Sequence, residues 1–146
     1  GESKEITREI FEKAVKERTL NTVAVYHGSK YNNEKIDYFK KADIFTFPTF
    51  YNNECFPLVL LESMQYKLPI VTTNEGGIPD VVKDGINGYV CKKEDTTSVA
   101  TAIETLLNDK EKRTRMGETG YWIFNDNFTL KVFNNNMICI FSEIIK

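Results

Sequence analysis

The sequence predicts an α/β protein: a parallel β-sheet with helices on both faces. Three observations carry this. Short β-branched or aromatic runs alternate with helical stretches through the first two-thirds of the chain, the pattern of strand–helix–strand units. Turn signals punctuate the alternation at Gly28, Pro48, Gly76-Gly77, Asp84-Gly85 and Asn87-Gly88. Apolar residues of the last third recur at helical spacing.

Taken in order, Ile6, Ile10, Phe11, Ala14 and Val15 share one face of an amphipathic helix over Ser3–Arg18. Thr22–Tyr26 is short and β-branched and is expected to form the first strand. Asn33–Lys41 reads as a short helix with Ile36 and Phe39 on its inner face. Asp43–Phe47 is the second expected strand, stopped by Pro48. Pro57–Tyr66 is a strongly apolar helix, with Pro57 near its first turn, where a missing N–H does no harm. Pro69–Thr73 is the third strand, Ile78–Val82 a short helical piece and Tyr89–Cys91 the fourth strand. Asp95 is a good N-cap for a helix over Thr97–Asn108, whose inner face is Val99, Ile103, Leu106 and Leu107. Helices over Lys110–Phe124 and Leu130–Ile145 close the chain, the last with Phe133, Met137, Ile140, Phe141 and Ile144 in register.

Composition excludes several function classes. The chain has 146 residues, of which 41% are hydrophobic and 27% charged, values of a globular domain rather than a disordered segment. A net charge of -2 leaves no broad electrostatic footprint for nucleic acid. No apolar run approaches the roughly 20 residues that span a bilayer, and Gly1–Arg18 is charged, unlike a signal peptide. Cys55, Cys91 and Cys139 are far apart, without metal-ligand or redox spacing; they read as reduced thiols of a cytoplasmic protein. His27 is the single histidine, so a multi-histidine metal site cannot be built. The basic run Lys110–Arg115 reads as a solvated helix face, with peripheral contact to an anionic membrane as the alternative.

Ligands of open parallel sheets sit at the carboxyl ends of the strands. Three loops therefore carry the functional expectation: Tyr26–Tyr31, Pro48–Phe56 and Thr73–Ile78. The second leads from Pro48 through Glu54-Cys55-Phe56 into the helix that contains Glu62. A helix N-terminus favours phosphate through its free N–H groups and dipole. A carboxylate accepts two hydrogen bonds from vicinal hydroxyls, as on a ribose or hexose. By itself the spacing of the two glutamates is equally that of a helix cap and a solvated side chain.

The stretch K-A-D-I-F-T-F-P-T-F-Y-N-N-E-C-F-P-L-V-L-L-E-S-M-Q-Y-K-L-P-I-V-T-T-N-E-G-G-I-P-D-V-V resembles the signature of the large retaining glycosyltransferase group sometimes called family 4. Glu54 and Glu62 match its E-x7-E motif. Ser63-Met64, Lys67-Leu68-Pro69, Ile70–Thr73, Gly76-Gly77 and the later Asp84–Val90 match the positions that follow, and the similarity runs from about Val23 to about Met116. The resemblance implies a Rossmann-like domain, the C-terminal half of a GT-B enzyme that transfers a sugar from a nucleotide-sugar with retention. Glu54 would then hold the donor sugar as the catalytic-site carboxylate, and Glu62 the ribose. Cys55, Phe56, Pro57 and Leu58 would line the sugar and pyrophosphate. The turn Tyr26-His27-Gly28-Ser29 resembles the base-binding loop, whose backbone reads the nucleobase; His27 by itself reads as an ordinary strand-end residue.

No metal or other cofactor is implied, because helix dipole and cationic side chains replace it in this architecture. The implied partners are the nucleotide-sugar and a glycan or lipid-linked acceptor, in polysaccharide biosynthesis at the inner face of the membrane. The family's upstream Arg and Lys, and its acceptor-binding domain, have no counterpart after Gly1. The chain is thus expected to be a single partial domain, truncated on its N-terminal side, inactive alone and inclined to self-associate. Lys67 departs from the family's usual glycine, and Cys55 from a different small residue. A non-catalytic sugar-nucleotide-binding module, or a GT-B epimerase or glycogen-synthase-like enzyme, is the alternative.

Overall fold

The computed structural model describes residues 8–51 and 53–145; the expected first turn of the opening helix and Asn52 lie outside them. The chain divides into two compact units after Ile36.

In the first unit, helix α1 (Arg8–Glu17) presents i,i+4 ion pairs, Arg8 to Glu12 at 2.7 Å and Lys13 to Glu17 at 3.8 Å. The expected strand Thr22–Tyr26 does not form. Leu20 carbonyl accepts from the amides of both Val23 and Ala24, each at 2.9 Å, which folds the segment into a turn. Val23, Val25 and Tyr26 are exposed. β-Propensity describes fit to a half-buried pleated surface, and no ladder among the described residues supplies one here. Helix α2 (Asn32–Lys41) contains the division between the units.

The second unit holds β1 (Phe45–Phe47), α3 (Leu58–Gln65), β2 (Ile70–Thr73), α4 (Ile78–Val81), β3 (Gly88–Cys91), α5 (Thr96–Asn108), α6 (Lys110–Asn127) and α7 (Leu130–Ile144). Among the described residues the sheet has three strands rather than four, in the order β1-β2-β3. Both pairings are parallel, Phe45 opposite Ile70 and Ile70 opposite Gly88. Every β2 residue is buried, as expected of a central parallel strand covered on both faces.

Successive residues of β2 feed two cores. Ile70 joins Leu60, Met64, Ile78, Val81 and Val82, with Phe45, Phe47 and Val90 packed against them. Val71 points the other way, to Cys91, Ala102, Leu106 and Met116. Helices α3 and α4 thus cover one face and α5 the other. Burial pushes the Cys91 thiol above its ordinary pKa, partly offset by a hydrogen bond from Ser98. Leu107, expected inward, is exposed; Ala102 and Leu106 are the buried residues of α5, and Val99 and Ile103 pack half-buried against the same core.

Local signals fix several boundaries. Asp95 caps α5 by accepting from the Ser98 amide at 3.0 Å. Lys67 has φ +56°, and its amide donates to Met64 carbonyl at 3.1 Å while the Leu68 amide donates to Ser63 at 3.3 Å. This is a Schellman closure of α3 built on a lysine, at a cost of roughly 1–2 kcal/mol in a left-handed conformation. Among the described residues no helix is long and apolar enough to cross a membrane.

Candidate functional site

Parallel pairing sends the carboxyl ends of all three strands to one edge of the sheet. The loops that leave this edge are 48–57, 74–77 and 92–95. The first begins with Thr49, whose amide donates to Phe47 carbonyl at 2.9 Å, and tightens where the Glu54 amide donates to Tyr51 carbonyl at 2.9 Å. Thr49 Oγ1 accepts from the Tyr51 amide at 3.2 Å. These bonds curl the chain so that Glu54 arrives just before α3. Pro57 is the N-cap of α3, with extended φ and ψ of -74° and 104°. The first N–H groups of a helix have no intrahelical partner, so the amides at Leu58 and Val59 are available to a ligand.

Glu54 is half-buried, Cys55 and Phe56 are exposed, Pro57 is buried and Leu58 exposed. Glu62 lies in the second turn of α3, also half-buried, beside the fully buried Ser63 and Met64. The structure therefore places Glu54, Cys55, Phe56, Pro57, Leu58 and Glu62 in one loop-and-helix unit that follows the carboxyl end of β1. His27 and Gly28 belong to the other unit. They follow a turn, not a strand, so the expected placement of Tyr26–Tyr31 at a strand's carboxyl end is corrected. Gly28 has φ +68° and His27 is exposed.

The second loop is locked onto the first. Thr72 Oγ1 donates to Phe47 carbonyl at 2.8 Å, and Thr73 Oγ1 donates to Thr49 carbonyl. The Gly77 amide donates to Cys55 carbonyl at 2.7 Å. A Cβ on Gly76 would collide with the Glu54 carbonyl, and one on Gly77 would lie 2.5 Å from the Cys55 carbonyl oxygen. Gly76 also has φ +49°. The glycine pair is thus more than a turn: only residues without a Cβ let the loop after β2 support the backbone of the Glu54 turn.

Two further features of this edge were not read from the sequence. Glu75 is buried, and its Oε2 lies 2.6 Å from Lys93 Nζ in the third loop. The contact is an ion pair, and Oε2 accepts no directed hydrogen bond. A cavity of about 300 Å³, apolar in character, opens between Pro48, Phe50, Thr73 and the α5 residues Val99, Ala100 and Ile103. The signal available for the pair was an acid directly before Gly76-Gly77 and a lysine just after β3. Residues 18 positions apart in two loops carry no periodicity that would join them.

Known proteins share this fold. The C-terminal domain of the group 1 glycosyl transferase LpcC from Francisella tularensis superposes with a TM-score of 0.75 at 23% identity, over 84% of this chain and 62% of that one. Anabaena HepE, solved in complex with UDP, matches with a TM-score of 0.84 at 18% identity, over 92% of this chain and 36% of that one. These likenesses show the fold, that of a GT-B C-terminal domain. In sequence, the capsular polysaccharide biosynthesis glycosyltransferase CapM of Staphylococcus aureus is 28% identical over 126 residues, 86% of this chain and 32% of CapM. The N-acetyl-alpha-D-glucosaminyl L-malate synthase of Bacillus anthracis is 48% identical over 65 residues, 44% of this chain and 17% of that enzyme. The chain therefore spans a third or less of these curated relatives. Residues 4–122 match the family described as Glycosyl transferases group 1, and with most of its length inside that match the chain belongs to this glycosyltransferase family.

Proposed function

We propose that this chain supplies the nucleotide-sugar-binding half of a retaining glycosyltransferase acting on a glycan or lipid-linked acceptor. The observation that carries the reading is the Glu54 turn. It stands at the carboxyl edge of a parallel sheet, opens directly into the N-terminus of α3, and is followed in that helix by Glu62. In this reading Glu62 accepts hydrogen bonds from the ribose hydroxyls and Glu54 from hydroxyls of the donor sugar. The amides near Phe56 and Leu58 face the pyrophosphate, with the helix dipole contributing roughly half a unit of positive charge. Catalysis is then electrostatic support of the departing diphosphate, with dipole and cationic side chains in the role a metal plays elsewhere. The fold shared with HepE, which has been solved with UDP and with UDP-glucose, supports a nucleotide-sugar as the ligand class.

The test is a pair of variants in the intact protein, with UDP-, GDP-, ADP- and TDP-sugars as donors. Glu62→Gln is expected to weaken nucleotide binding by about 1.5–3 kcal/mol, the worth of a charge-assisted hydrogen bond. Glu54→Gln is expected to lower the transfer rate more than the donor affinity, by misplacing the sugar. Wild-type kinetics in both variants would overturn the reading.

A further inference from the structure

We propose that Glu75 and Lys93 form a positioning pair that sets the Glu54 turn, and through it the donor sugar. The inference rests on the donor-site reading above. Glu75 is only 8% exposed, whereas the Lys93 side chain is 45% exposed. A buried carboxylate is costly unless its charge is met, and Lys93 Nζ at 2.6 Å meets it. The pair ties the loop after β3 to the loop after β2. Gly76, the next residue after Glu75, packs on the Glu54 carbonyl, and the Gly77 amide holds Cys55 carbonyl at 2.7 Å. The Glu75 carbonyl in turn accepts from the Ile78 amide at 3.0 Å, which fixes the loop to the start of α4. A displacement of Glu75 is therefore passed to the backbone that carries Glu54.

Energetics favour geometry over stability as the role of this pair. Replacing a buried ion pair by apolar side chains is often neutral or stabilising. The strand ends are already joined by Thr72 Oγ1 to Phe47 carbonyl at 2.8 Å. What the pair adds is a fixed distance between two loops at the ligand edge. A misplacement of about 1 Å at a reacting group costs on the order of a hundredfold in rate. Neither side chain needs to touch the donor.

The test measures kcat and donor KM of the intact protein for Glu75→Gln, Lys93→Met and the charge-swapped double variant Glu75→Lys/Lys93→Glu. Amide exchange at Gly77 is followed alongside. Lys93 is half-exposed in a loop, so Lys93→Met keeps the test decisive even if Glu75→Gln fails to fold. For Lys93→Met a fall in kcat of about tenfold is expected, with donor KM moving less than about threefold, the signature of a lost orienting interaction. Gly77 exchange should accelerate, and the swapped pair should restore part of the rate. A Lys93→Met enzyme with wild-type kcat and unchanged Gly77 exchange overturns the inference. Glu54→Gln, assayed in parallel, separates the two failures. Impaired transfer there beside a silent Lys93→Met removes the positioning pair alone. Silence in both removes the donor-site reading as well.

Discussion

Helices α3 and α7 carry apolar side chains at similar density and meet opposite fates. In α3, Leu60, Ser63 and Met64 are fully buried against the sheet and α6. In α7, which touches α6, no residue is buried; Phe133, Ile140, Phe141 and Ile144 all remain more than half exposed or close to it. The difference shows that an apolar stripe specifies a helix that requires a partner, but not that the partner is present. Helix α3 is eight residues long, too short to persist alone in water, and its existence is owed to the sheet beneath it. Helix α7 is nearly twice as long and draws on local devices. Thr129 Oγ1 accepts from the Val132 amide at 3.3 Å, an N-cap worth about 1 kcal/mol.

The contrast can be broken first at Leu60. Leu60→Ala opens a cavity under α3 and is expected to destabilise the chain by about 2–5 kcal/mol, read as a lower denaturant midpoint. A loss under about 1 kcal/mol would mean that α3 is not anchored by this core.

The second change tests how the two helices end. Helix α3 closes on Lys67 in a left-handed conformation, whereas α7 ends at Ile145 in the right-handed region. Lys67→Gly is expected to stabilise by about 1 kcal/mol. The ion pair it removes, to Glu118 at 3.8 Å, is half-exposed and therefore weak. The Lys67 ammonium also stands 5.4 Å from the Tyr121 ring centre, so the gain falls at the low end of the range. Thermal unfolding of the variant checks the sign; a lower melting temperature would show that these contacts outweigh the backbone strain.

The smallest effect is expected on α7. Phe141→Ala in dilute solution should shift stability by less than about 0.5 kcal/mol, as for a surface substitution. A loss approaching that of Leu60→Ala, measured by the same denaturant titration, would mean that something covers the α7 face and that the two helices are alike after all.

Legibility in the sequence followed the range of the interactions. Caps and turn residues act over three or four positions. Asp95, Pro57 and the Asp84-Gly85 and Asn87-Gly88 turns accordingly marked boundaries that the structure reproduces within a residue or two. Glu54 and Glu62 were legible as a pair because both belong to one loop and the helix it opens. Thr22–Tyr26 has the composition of a strand and folds as a turn, because a strand is defined by its partner and the Leu20 carbonyl accepts from the Val23 and Ala24 amides.

The sequence by itself determined the helices with strong caps or long periodicity, the parallel α/β class and the family motif around Glu54 and Glu62. Tertiary structure alone decided that the sheet among the described residues has three strands, and that Gly76-Gly77 bears on the Glu54–Cys55 backbone. It alone paired Glu75 with Lys93. The physical reason is common to all three. Backbone ladders, close approaches without a Cβ and an ion pair to a buried carboxylate join residues about 18 or more positions apart. Such contacts exist only once burial has excluded water and brought separate loops to one edge of a packed sheet.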